Sequence, residues 1–175
     1  MIEKQIWKNF LIMAICYLID SIISFFLPYN LSKTGISFIP SLGLMMFILL
    51  VMTLRDTTER FFFAAVCGLY YCILYSNSLL IYVLVYVAIA FARSYIFRND
   101  HITLLEFIGT AFVVILLKEI VVYYLMVGTN VTSLSFLSFV SLRLLPTTLI
   151  NTALSPIVYY VFTLFDFKTD ESEFV

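Results

Sequence analysis

The sequence predicts an all-α integral membrane protein, a single domain of six transmembrane helices, and three observations predict it. Of 175 residues, 63% are hydrophobic and 12% charged, against about 45–50% and about 25% in an average globular domain. A water-soluble fold of this size cannot cover so much apolar surface. Apolar runs approaching the ~20 residues that cross a bilayer recur along the chain, divided by short polar breaks. Lysines and arginines gather on alternate breaks, as topology rules require. The net charge is −1, with ten Lys+Arg against eleven Asp+Glu, so there is no basic footprint for nucleic acid.

The first span is expected over residues 6–27, behind Lys4 and Lys8. It closes on Ser24-Phe25-Phe26-Leu27-Pro28 with no small-residue cleavage site, which predicts a retained helix rather than a signal peptide. Pro28, Asn30, Ser32 and Gly35 make a loop. A short second span covers 38–54 and ends at the charged turn Arg55-Asp56-Thr57-Thr58-Glu59-Arg60. Residues 61–97 form one apolar run that would be about 55 Å long as a helix, too long for a ~30 Å core. The break Ser76-Asn77-Ser78 divides it into spans 61–75 and 79–97. Arg98-Asn99-Asp100-His101 precedes the fifth span, 103–127. A Ser/Thr/Gly/Asn-rich stretch, 128–141, leads to the sixth span, 142–165, and an acidic tail, 166–175, follows.

With a cytoplasmic N-terminus the inner segments hold Lys4, Lys8, Arg55, Arg60, Arg93, Arg98 and Lys168. The outer segments hold Lys33 and Arg143. That asymmetry places both termini in the cytoplasm and the chain in a cell membrane. Trp7, Tyr29, Tyr75, Tyr95 and Tyr123 fall near span ends, where an amphipathic ring suits the interface. Ala64-x3-Gly68 and Ala88-x3-Ala92 have the spacing that lets helices approach closely.

Asp20, Lys118, Glu119 and Arg143 lie within or at the edge of spans, away from the inner face. Each costs at least ~2.5–3.5 kcal/mol to insert, so each requires a partner or water. The topology puts all four in the outer half of the bilayer, with charges summing to zero. Lys118 and Glu119 are neighbours, about 100° apart around a helix, and are not expected to face each other. The expected pairs are therefore Asp20 with Lys118 and Glu119 with Arg143. Pro146 lies one turn into the sixth span, where a missing N–H is harmless near a helix start and costs a hydrogen bond deeper in, and Pro156, further along, is expected to bend the helix or leave a free carbonyl for neighbours to satisfy. Asn151, between them near the midplane, is expected to hydrogen-bond across helices.

No GxSxG, HExxH or GxGxxG pattern occurs. The single histidine, His101, sits at the inner rim, far from the polar layer. Cys16, Cys67 and Cys72 lie in apolar runs without CxxC spacing and read as small buried side chains. No enzyme, metal or cofactor is expected. The tail is expected to be solvated. A membrane scaffold, a solute-binding transporter subunit and a channel remain.

The stretch Phe139-Val140-Ser141-Leu142-Arg143-Leu144-Leu145-Pro146-Thr147-Thr148-Leu149-Ile150-Asn151 resembles the R-x2-P-T-x3-N signature of the rod shape-determining protein MreD family. Glu119 and Asp20 stand where members of that family carry acids in the fifth and first spans. Where related proteins show Gly-x3-Asp in the third span, Gly68 is followed by Cys72. The resemblance implies a non-enzymatic subunit of the cell-elongation machinery. Its partner would be MreC, a single-span protein, with MreB filaments, RodA-type glycosyltransferases and class B penicillin-binding proteins as looser associates, and lateral peptidoglycan synthesis as the output. It implies a fold similar to the six-helix substrate-binding (S) subunits of energy-coupling-factor transporters. Asp20, Lys118, Glu119, Arg143, Pro146 and Asn151 would then position helices for the partner. The alternative, a solute-binding S-type subunit, predicts an outward pocket using Tyr71, Tyr75, Tyr82 and Tyr86, but the first span lacks the A-x3-A patch such subunits usually carry.

Overall fold

The computed structural model describes residues 2–26, 35–54, 56–75, 81–96 and 102–164. The described residues are helical apart from short connections, and none forms a strand. The helices are α1 (Ile2–Phe26), α2 (Leu42–Thr53), α3 (Thr57–Tyr75), α4 (Ile81–Ile96), α5 (Leu104–Gly128) and α6 (Phe136–Leu164). A π-helical turn, Val140–Leu144, interrupts α6. His101, the Ser76-Asn77-Ser78 break, Tyr29, Lys33, Arg55, Arg98 and the tail lie outside the described residues, as do the side chains of Lys4, Tyr75 and Tyr95.

Among the described residues, three helices are long and apolar enough to cross a membrane: Trp7–Phe26, Leu104–Gly128 and Phe136–Leu164. Leu42–Thr53 and Tyr82–Arg93 are shorter apolar helices. The distribution of side chains suits a membrane-embedded chain. Leu11, Ile15, Leu18 and Ile22 of α1, Phe112 and Leu117 of α5, and Leu149 and Ile157 of α6 face outward. The charged residues Asp20, Lys118, Glu119 and Arg143 face inward. In water this pattern would be unstable; in lipid the outer surface costs nothing and the inner polar groups need internal partners.

Helix α2, apolar all round its circumference, is the axis of the bundle. Gly43 to Met52 are all buried, and α2 packs against every other helix. Its entry is the main departure from the expected span 38–54. Helix begins only at Leu42, and residues 36–41 run without helical structure. Pro40 accounts for part of this, since the residue before a proline is driven out of the α region.

Within residues 61–97 the structure describes α3 as far as Tyr75 and α4 from Ile81, and the two helices pack closely on each other. A Cβ on Gly68 would lie 2.6 Å from Val83 Cα, so this crossing requires glycine. Helix α3 starts at Thr57, before the expected residue 61, because Asp56 Oδ1 accepts the Thr58 N–H at 3.0 Å. Arg60, read from the sequence as part of a charged turn, is buried and donates to Thr57 Oγ1 at 3.0 Å. Thr103 and Glu106 form a reciprocal capping box at the start of α5.

Helix α6 begins within the stretch expected as loop. Ser135 Oγ accepts the Ser138 N–H, and Phe139 stacks on Tyr123 with ring centroids 4.2 Å apart. Tyr123 is buried and its hydroxyl donates to the Leu134 carbonyl at 2.8 Å, which ties the connection to α5. Asn130, in the left-handed region at φ 56°, turns the chain between the two helices.

Candidate functional site

The site is built around residues 37–41, a stretch of backbone that is not helical although most of it is buried. Such backbone is tolerated at membrane depth only where protein satisfies its polar groups. Here α6 does so. Ser37 N–H donates to the Leu142 carbonyl at 2.8 Å, Ile39 N–H to Thr147 Oγ1 at 3.3 Å, and Ser41 N–H to Asn151 Oδ1 at 2.9 Å. Asn151 Nδ2 donates back to the Ile39 carbonyl at 2.8 Å. The donors recur every two residues, and their acceptors every four or five. The register follows from geometry: two residues of extended chain advance ~6.6 Å, and four of a helix ~6 Å.

Pro146 explains why the first acceptor is available. In an α-helix the Leu142 carbonyl would receive the N–H of residue 146, and proline has none. The freed carbonyl is taken by Ser37. The π turn assists, since the Leu145 N–H reaches back to Val140. Pro156 creates the same vacancy at the Thr152 carbonyl, which Ser155 Oγ fills at 2.7 Å.

At the end of the segment the α2 N–H groups point inward without intrahelical partners. Ser41, the residue in the capping position, makes no side-chain cap. Asp20, from α1, caps the helix instead. Its Oδ1 accepts the Leu42 N–H at 2.9 Å and its Oδ2 the Gly43 N–H at 2.8 Å. A carboxylate at a helix N-terminus meets both the unpaired donors and the positive end of the helix dipole. The expected Asp20–Lys118 pair is thereby corrected: the carboxylate oxygens face backbone.

Lys118 turns to Glu119 instead, Nζ to Oε1 at 3.0 Å, and donates to Ser41 Oγ at 3.3 Å. Adjacent residues do not share a helix face, but the four-carbon lysine stem is long enough to fold back. The ammonium also lies 5.3 Å from the Tyr71 ring centroid, within cation–π range. Arg143 Nε meets Glu119 Oε2 at 2.8 Å, the pair expected from the sequence. Glu119 thus holds two cations, one from its own helix and one from the π turn of α6. Relative exposures are 0% for Asp20 and Asn151, 1% for Glu119, 3% for Lys118 and 5% for Arg143.

The structure therefore brings all six sequence-predicted residues into one region: Asp20 at the α1–α2 contact, Lys118, Glu119 and Arg143 at the α5–α6 contact, and Pro146 and Asn151 where α6 meets the 36–41 segment. Ser37, Ser41 and Tyr71 were not singled out as partners. Pro40-Ser41 inside an expected span was the available signal. Tyr71, Tyr82 and Tyr86 are buried and pack ring to ring, with Tyr71–Tyr82 centroids 4.9 Å apart and Tyr17 donating to the Tyr86 hydroxyl at 3.0 Å. They form core rather than the lining of an outward pocket. Among the described residues no three His, Cys, Asp or Glu side chains cluster as metal ligands. What the arrangement can do is fix α1, α2, α5 and α6 in one relative geometry.

Comparison with protein families, curated proteins and solved structures gives no significant match to this chain.

Proposed function

We propose that this chain is a non-enzymatic membrane subunit of the bacterial cell-elongation complex, an MreD-like protein that binds an MreC-like single-span partner. On this reading it crosses the cell membrane six times, with both termini in the cytoplasm and a bundle of the S-subunit type. It helps organise lateral peptidoglycan synthesis alongside MreB filaments, a RodA-type glycosyltransferase and a class B penicillin-binding protein.

One observation carries the reading. The residues on which the family likeness rests share a single structural task. Arg143 holds Glu119, Pro146 releases the Leu142 carbonyl to Ser37, Thr147 and Asn151 hold Ile39 and Ser41, and Asp20 caps α2. A buried polar set of this kind contributes specificity of geometry more than net stability. That suits a protein whose output is a shaped surface for another membrane protein.

The test is co-expression with the MreC-like protein of the same genome and capture from detergent-solubilised membranes. The wild type should capture the partner. Arg143→Ala, Pro146→Ala and Asn151→Ala should reduce capture at normal membrane abundance. Undiminished capture would remove these residues from the interaction, and failure of the wild type would remove the reading. A small molecule retained through purification, found by mass spectrometry, would favour the solute-binding alternative.

A further inference from the structure

Arg143, on the π turn of α6, is 5% exposed and engages one of its three guanidinium nitrogens. Nε donates to Glu119 Oε2 at 2.8 Å. Nη1 and Nη2, which carry the rest of the guanidinium donors, meet no hydrogen-bond or ion-pair partner among the described residues. Neither atom is sealed within the protein. Buried donors are ordinarily matched, and a charged group left open calls for a partner from outside the chain.

Glu119 is the reason the edge is open. A carboxylate and a guanidinium often join through two parallel hydrogen bonds. Here Oε1 is taken by Lys118 Nζ at 3.0 Å, so Arg143 receives a single oxygen and its Nη edge is left over. Positive charge is left over with it. Two cations share one carboxylate at the α5–α6 contact, while the other buried carboxylate, Asp20, is engaged by the Leu42 and Gly43 N–H groups. Water would fill the donors and leave that charge unbalanced; an anion does both.

We infer that the Nη edge of Arg143 binds a phosphate oxyanion presented by the headgroup of a membrane phospholipid. The two nitrogens of a guanidinium edge present parallel N–H groups that match two oxygens of a phosphate. Depth names the source. Residues Phe136–Leu164, 29 in number, extend about 43 Å at ~1.5 Å per residue, the thickness of a bilayer with its headgroups. Arg143 lies about 10 Å from the Phe136 end, just inside the ~30 Å hydrocarbon core. A cation at that level reaches outward or draws headgroups inward. Glu119 holds Nε in the bundle, so Arg143 does not reach outward and the phosphate descends to it. The inference requires a membrane-embedded chain and is independent of the partner proposed above.

The test uses the full chain, freed of lipid in an uncharged detergent, with three probes: phosphatidylglycerol, diacylglycerol with the same acyl chains, and inorganic phosphate. Binding is read by native mass spectrometry for the wild type and for Arg143→Lys, which keeps a cation beside Glu119 and lacks the Nη edge. Phenylglyoxal, which condenses with the two Nη atoms of an arginine, is read at Arg143 of the wild type by peptide mapping. The expected result is at least a tenfold preference for phosphatidylglycerol over diacylglycerol, lost in Arg143→Lys. Modification of Arg143 should proceed in the lipid-free protein and slow at least tenfold with phosphatidylglycerol but not with diacylglycerol. An equal preference in Arg143→Lys overturns the site. Should that variant fail to fold, the wild-type modification decides: no reaction at Arg143 without lipid shows a closed edge, an equal rate with phosphatidylglycerol shows an edge that holds water only, and either overturns the inference. Protection by inorganic phosphate at the same concentration supports the oxyanion site and overturns the lipid source.

Discussion

Asp20 of α1 and Gly43 of α2 are joined by a hydrogen bond of 2.8 Å from the Gly43 N–H to Oδ2, while Oδ1 of the same carboxylate accepts the Leu42 N–H. One acidic side chain thus supplies, from a separate helix, the cap that Ser41 does not make. Replacing Asp20 should act on α2 rather than on Lys118. Asp20→Asn keeps one acceptor and should cost about 1–2 kcal/mol, within the range of helix caps. Asp20→Ala leaves two buried N–H groups unpaired and should cost about 2–4 kcal/mol. Thermal unfolding in detergent micelles checks the ranking, and equal costs would count against the cap.

Glu119 is the shared anion of two buried cations. Glu119→Ala should cost about 3–5 kcal/mol, because both Lys118 and Arg143 lose their counter-ion. Arg143→Ala should cost less, since Glu119 keeps Lys118. The charge swap Glu119→Arg with Arg143→Glu should recover only part of the loss, as it places a second cation beside Lys118. Membrane abundance and unfolding midpoints of the three variants, set against the wild type, give the comparison. Full recovery in the double variant would contradict the three-membered arrangement.

Pro146→Ala introduces an N–H that competes with Ser37 for the Leu142 carbonyl. Helix content should be unchanged, and amide hydrogen exchange at Ser37 should accelerate. Asn151→Ala removes the partner of both the Ser41 N–H and the Ile39 carbonyl. It should cost about 2–4 kcal/mol, since each buried group left unmatched costs ~1–3 kcal/mol. Protection that persists at Ser37 and Ser41 in these variants would mean that α6 does not hold the segment.

Gly43 is required by the Tyr17 ring rather than by its own backbone. A Cβ there would lie 2.5 Å from the ring atoms. Gly43→Ala should destabilise by about 1–3 kcal/mol, the usual range for overpacking. Tyr17→Leu, which removes the ring, should make the same change tolerable. A double-mutant cycle on unfolding midpoints reads the coupling, and strict additivity would show that the two do not meet.

Much of the architecture was legible because lipid imposes a simple rule. Apolar runs and polar breaks indicated where helices lie, and the reading of residues 61–97 as two helices rested on length together with the Ser76-Asn77-Ser78 break. The pairing of Arg143 with Glu119 was also legible, since a buried charge must find its opposite. Other features depended on where chain ends meet in space. Nothing local marks Asp20 as a cap for a helix that starts 22 residues later, because its partners are backbone N–H groups common to every residue. Lys118 was expected to look away from Glu119 on helix geometry, but its flexible stem defeats an argument based on Cβ directions.

Composition and periodicity by themselves determined that this chain is helical, apolar on the outside and burdened with a few ions that lipid cannot solvate. Solvent physics acts on each residue separately, so sequence suffices for it. Only the tertiary structure decided how those ions and amides are matched. The entry to α2 is extended, α6 supplies its hydrogen bonds through Thr147, Asn151 and a carbonyl released by Pro146, and α1 supplies its cap. Hydrogen bonds are short-range and directional, and between residues 105 to 110 positions apart their geometry exists only once the helices have packed.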